Sequence, residues 1–136
     1  MATKKQIIYI CTHGKFGEEL IRSAEMIVGK LDGVKAFSLI PGMSPEEYQI
    51  LIEDSLKLEG ESIIVMVDLF GGTPSNTMAI LSKKYKLDIL SGINLAMLIE
   101  LYTQKDNLPT DKLLALGLSA LQDSGKNVLE VLRKVN

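Results

Sequence analysis

The chain has one histidine, one cysteine, no tryptophan and four prolines in 136 residues. With a single cysteine, Cys11, no internal disulfide can form, and the chain suits a reducing cytoplasm. One cysteine with one histidine also falls short of the four N and S ligands of a structural zinc site. No apolar run approaches the ~20 residues needed to cross a bilayer. The opening Met1-Ala2-Thr3-Lys4-Lys5 leads into a strand-like run, without the apolar stretch or cleavage site of a signal peptide. A cytoplasmic location is therefore expected. Net charge is −2 and no basic stripe is visible, which argues against nucleic acid as a partner. Lys4-Lys5 and Lys83-Lys84 read as solvated surface. Neither G-x-x-x-x-G-K-[ST] nor G-x-G-x-x-G occurs, so no nucleotide cofactor is expected, and no metal. Repeats, low-complexity segments and linkers are also missing.

What remains is an ordinary globular composition, 46% apolar and 24% charged, in a length that suits one domain over residues 1–136. Short apolar runs alternate with segments of helical period. Strands are expected over 6–11, 34–40, 62–67 and 87–90, rich in Ile and Val as strands buried on both faces are. Helices are expected over 17–31, 44–58, 74–85, 94–104 and 110–124. In the first, Leu20, Ala24, Ile27 and Leu31 share a face. The second opens on Ser44 as N-cap, Pro45 at the first helical position and Glu47 three residues after the cap. Thr73-Pro74 repeats the cap-then-proline signal. Met26, Met66, Met78 and Met97 read as core filler, and Cys11 as a small core residue. This alternation predicts an α/β fold, a parallel sheet of order 2-1-3-4 with helices on both faces. The core spans 6–125. The tail over 126–136 carries Val128, Leu129, Val131, Leu132 and Val135, a pattern open to either a helix or a strand.

In such sheets ligands bind beyond the carboxyl ends of the strands, where strand order reverses. His13 follows the first apolar run and Asp68 the third, so strands 1 and 3 as neighbours bring imidazole and carboxylate to one edge. Gly71-Gly72-Thr73-Pro74 then opens a helix at the same edge. A neutral imidazole can take a phosphoryl group on one nitrogen while a carboxylate holds the proton on the other. Backbone N–H groups around Gly71 and Gly72 and the Thr73 hydroxyl would hold the phosphoryl oxygens. Gly42 and Gly92 also follow strands; Gly42 reads as turn chemistry, and Gly71-Gly72 as close backbone approach to a ligand. Arg22 reads as solvated and Asn94 as a helix cap. Phe16, Phe70 and Met43 are bulky apolar residues at the strand ends and are candidates for partner docking. A rival reading is a receiver-like domain phosphorylated on Asp68. Such a domain needs an acidic pair after strand 1, where this chain has Thr12-His13-Gly14. A histidine phosphatase would need an Arg-His-Gly and a second histidine.

At these residues the chain resembles the IIA domains of the mannose class of the bacterial sugar phosphotransferase system. The matching segments are Thr12-His13-Gly14, Ala24-Glu25-Met26, Ile40-Pro41-Gly42, Val67-Asp68-Leu69-Phe70-Gly71-Gly72-Thr73-Pro74-Ser75-Asn76, and Ser91-Gly92-Ile93-Asn94-Leu95-Ala96-Met97-Leu98-Ile99-Glu100. The resemblance implies that His13 accepts a phosphoryl group from the phosphocarrier HPr. It would pass the group to a histidine on a separate IIB component, which phosphorylates the sugar arriving through the membrane IIC and IID components. Asp68 would be the orienting acid and Thr73 a phosphate-side hydroxyl. The resemblance also implies a homodimer in which a C-terminal strand, here near 126–135, is exchanged between subunits. A related alternative is the phosphoryl-donor subunit of dihydroxyacetone kinase, whose first motif usually reads His-Ser where this chain has His13-Gly14. A regulatory phosphocarrier is a third reading of the same chemistry.

Overall fold

The computed structural model describes residues 5–135; the expectations for 1–4 and for Asn136 lie outside the described residues. Its strands are β1 (Ile7–His13), β2 (Val34–Leu39), β3 (Ile63–Val67) and β4 (Leu87–Ser91). Its helices are α1 (Phe16–Val28), α2 (Pro45–Glu59), α3 (Thr73–Leu81), α4 (Leu95–Gln104), α5 (Thr110–Ser124) and α6 (Val128–Val135). The strands form one parallel sheet in the order β2-β1-β3-β4, as expected.

The pleat of β1 divides the core in two. Ile8 and Ile10 point to one face, where they join Ala24 of α1, Leu98 and Leu101 of α4 and Leu113 of α5. Tyr9 and Cys11 point to the other, against Tyr48, Ile52 and Leu56 of α2 and Met78 and Leu81 of α3. This is the period-2 alternation of a strand covered on both sides. All five residues of β3 are buried, which is why the run is apolar throughout. Each such side chain contributes about 1.5–3 kcal/mol on transfer from water. Ser44 caps α2 with both arms of a capping box, and the Tyr48 hydroxyl donates to the Phe37 carbonyl at 2.7 Å, fastening α2 to β2.

Several elements depart from expectation. β1 runs two residues beyond Cys11, so His13 is itself in the strand. α1 ends at Val28, because Gly29 turns the chain away with φ 83°. Its inward face passes through Leu20, Ile21, Ala24 and Val28, leaving Ile27 in solvent. Met66, Met78 and Met97 are buried, but Met26 is 88% exposed and is no core residue. α3 stops at Leu81, followed by backbone turns through Tyr85. Where an exchanged strand was expected near 126–135, the chain is helical over Val128–Val135. Val128, Val131, Leu132 and Val135 recur at helical spacing, and the segment closes as α6 with no residue buried.

Candidate functional site

β1 overhangs β3. Their last paired residues are Cys11 and Val67, and beyond that pair the Asp68 side chain takes over from the ladder. Asp68 Oδ2 accepts the backbone N–H of His13 at 2.9 Å and also lies 2.9 Å from the ring Nδ1. Its other oxygen, Oδ1, accepts the Leu69 N–H at 2.9 Å. The carboxylate is thereby fixed at both oxygens, and it fixes the ring. An ionised carboxylate only accepts, so in the neutral ring this contact favours the tautomer with the proton on Nδ1 and the lone pair on Nε2. The His13 side chain is 48% exposed and that of Asp68 only 16%. The acid is thus the more buried member of the pair and the ring the more exposed.

The loop after β1 is built to leave the ring there. Gly14 takes φ 56°, a left-handed turn that lets the chain reverse directly after His13. Thr12, fully buried, accepts the Gly17 N–H through its hydroxyl at 2.9 Å and so ties the start of α1 to the strand. Lys15, at the N-cap position, makes no side-chain cap, and Thr12 does that work from β1.

On the other side of the ring lies the turn from Asp68 to Gly72. Gly72 N–H donates to the Leu69 carbonyl at 3.2 Å, closing the turn, and Gly71 provides the left-handed φ of 84° that this turn needs. Asn76 of α3 donates from Nδ2 to the Gly71 carbonyl at 3.1 Å. The close backbone approach expected of Gly71-Gly72 exists at Gly72, but what it approaches is the His13 ring. Thr73 begins α3 immediately after. The first turn of a helix leaves backbone N–H groups free, and Pro74 removes one that would have no partner.

Beneath the site the chemistry is neutral. Burial pushes the Cys11 thiol up to about 12, with the negative charge of Asp68 adding to the shift. Burial raises the Tyr48 hydroxyl further above its ordinary value. No group of three or more His, Cys, Asp or Glu suited to holding a metal is gathered among the described residues. No described helix is long and apolar enough to cross a membrane.

The family model described as PTS system fructose IIA component, EIIA-man, matches residues 7–116. The chain belongs to this family. It is 30% identical over 131 residues to the PTS system fructose-specific EIIA component of Bacillus subtilis, covering 94% of this chain and 90% of that protein. It is 32% identical over 126 residues to the PTS system mannose-specific EIIAB component of Escherichia coli K12, covering 88% of this chain. The chain spans only 38% of that longer relative. Among solved structures it is similar to the phosphotransferase system component EIIA of Streptococcus agalactiae, with TM-score 0.85 and 29% identity over 91% of this chain and 98% of that one. Membership of the EIIA-man family supports a phosphotransferase component and does not favour the receiver-like or kinase-donor readings.

Of the residues singled out in the sequence, the EIIA-man fold brings His13, Asp68 and Gly72 into contact and sets Thr73 next to them. Phe70 is 85% exposed and Phe16 is also in solvent. Met43 instead packs against the cluster of Tyr9 and Phe37, so its bulk is used by the core. Arg22 turns to Glu19, and Asn94 caps α4 by accepting the Met97 N–H. Two residues escaped the sequence reading. Leu69 is exposed beside Phe70, and its position directly after the acid was the available signal. Asn76 gave none beyond its place in the quoted segment.

Proposed function

We propose that this chain is a phosphocarrier in sugar uptake, carrying the phosphoryl group on Nε2 of His13. The observation that supports this most is the single oxygen of Asp68 that holds both the backbone and the ring Nδ1 of His13, leaving Nε2 outward. In the transfer, the bond from phosphorus to the donor breaks as the bond to Nε2 forms. The proton stays on Nδ1, and Asp68 stabilises the positive charge that develops on the ring. Thr73 and the N–H groups at the start of α3 are the proposed donors to the phosphoryl oxygens. Gly71 shares in that cradle. Phosphoryl transfer asks for positioning and charge stabilisation, and these parts supply both.

HPr is the proposed donor and a separate IIB component the acceptor, linked through it to membrane IIC and IID components. An exposed histidine fits protein partners, since both must reach the same nitrogen. The exposed Phe70, Leu69 and Phe16 are the proposed docking side chains; Met43 supports the loop from inside. A cytoplasmic location follows from this reading, and residues 1–136 act as a single carrier domain.

We also infer a homodimer. α6 presents Val128, Leu129, Val131, Leu132 and Val135 to solvent and buries none of them. A helix of eight residues is marginal alone in water, so a surface to pack on is what would hold it. A second copy of the chain is the proposed surface.

The test is labelling from phosphorylated HPr. The full chain should take one phosphoryl group, stable to alkali and lost in mild acid, and pass it to a IIB protein. His13→Ala should take none. Label retained in that variant, or an acid-stable and alkali-labile adduct, would point to Asp68.

A further inference from the structure

Gly72 does not need to be glycine for its own backbone. Its φ of −78° and ψ of 171° are open to any residue. What it lacks is room. A Cβ built at Gly72 would lie 2.7 Å from Cε1 of His13 and 3.4 Å from its Nε2. Contact this short does not occur between real atoms, so one partner would have to move. The imidazole is the end of a side chain on an open surface, and it would move before the backbone did.

We propose that Gly72 and Asn76 are positioning residues for phosphoryl transfer, forming a backbone wall that holds the His13 ring in one orientation. The proposal rests on the reading of His13 as the phosphoryl acceptor. Asp68 meets the ring at Nδ1, and the wall meets it at Cε1, the next atom round. A half-turn about the Cβ–Cγ bond would exchange Nδ1 with Cδ2 and Nε2 with Cε1. The carboxylate would then face a C–H, and Nε2 would be turned against Gly72 and away from a donor. The acid therefore selects between the two flips, and the wall limits how far the selected ring can swing.

The wall is held from both ends. Gly72 N–H reaches back to the Leu69 carbonyl, and the Gly72 carbonyl accepts the Asn76 N–H at 2.9 Å. The Asn76 side chain takes the Gly71 carbonyl, which would otherwise be unsupported at the tip of the turn. Loss of the Asn76 amide leaves the helix bond in place and frees only the turn.

The experiment compares the full-length chain with Gly72→Ala and Asn76→Ala. Imidazole ¹⁵N NMR of the unphosphorylated proteins reads which ring nitrogen holds the proton. Transfer from phosphorylated HPr is resolved into maximal rate and KM. In Gly72→Ala the single Nδ1–H form should give way to a mixture. The maximal rate should fall roughly 10–100-fold, with KM for HPr within about twofold. Asn76→Ala should change both readouts in the same direction by a smaller factor. A wild-type ring spectrum and rate in both variants overturns the proposal, as does a change confined to KM. Should Gly72→Ala fail to fold, Asn76→Ala, which removes one exposed amide, decides alone. If the wild-type chain takes no phosphoryl group, the reading of His13 as acceptor fails, while the ring spectra still show whether the wall orients the imidazole.

Discussion

One carboxylate oxygen of Asp68, Oδ2, stands 2.9 Å from both the backbone nitrogen and the ring Nδ1 of His13. The acid therefore grips the strand end and the imidazole together. Asp68→Asn can satisfy one of these donors with its remaining oxygen, but it brings an N–H that disfavours the Nδ1–H form. Transfer should slow by a factor on the order of 10²–10⁴, with the fold intact and KM for HPr little changed. Stopped-flow or quench measurements of label transfer check this. Unchanged kinetics would remove Asp68 from the mechanism.

Phe70 and Leu69 sit on the same turn as Asp68 and are exposed. Phe70→Ala should leave thermal stability within about 0.5 kcal/mol of the parent, as surface changes do. It should raise KM for HPr or IIB roughly 5–30-fold, the effect of losing one central aromatic anchor. Titrating the rate against each partner separates the two. KM values unchanged from the parent for both partners would mean that Phe70 only covers the loop.

Alkali should destabilise the fold. Burial raises the Cys11 thiol from 9.0 to about 12 and the Tyr9 hydroxyl from 10.0 to about 12. In the unfolded chain both groups ionise earlier. The stability they contribute is complete below pH 9 and is lost as pH rises towards 12. Urea midpoints at pH 8, 10 and 11 should fall in that order, and Cys11→Val should flatten the part of the slope that starts near pH 9. At neutral pH the Cys11 thiol should resist a thiol reagent until the protein is unfolded.

α6 gives a prediction about assembly. Light scattering should find the full chain dimeric and a chain ending at Gly125 monomeric. A monomeric full chain would discard the homodimer. A truncated chain that stays dimeric would put the interface elsewhere.

The sheet was legible because β3 is buried on both faces and reads as an unbroken apolar run, and because glycine or an acid marks each strand end. That His13 and Asp68 lie side by side followed from the strand order. The double grip of Asp68 did not. It depends on β1 outlasting β3 by two residues, and strand ends are set by tertiary pairing. Gly71 and Gly72 look alike in sequence, yet one makes the turn and the other makes clearance for a ring carried by a different strand, which no local signal marks. Ile27 and Val28 are both apolar neighbours, and only the angle at which α1 lies on the sheet decided which one faced in. In the tail, β-branched valines suggested a strand while their spacing suited a helix, and spacing prevailed.

The half-exposed ring of His13 has a cost in time. Closed active sites keep water from a reactive intermediate, whereas the His13 side chain is about half exposed. On the proposed reading, a phosphoryl group parked there would be in a race between hydrolysis and the next encounter. Its useful lifetime is then a matter of how abundant the acceptor is and how quickly it arrives. Throughput in the relay would respond to the concentration of the acceptor protein more directly than to any rearrangement of the carrier.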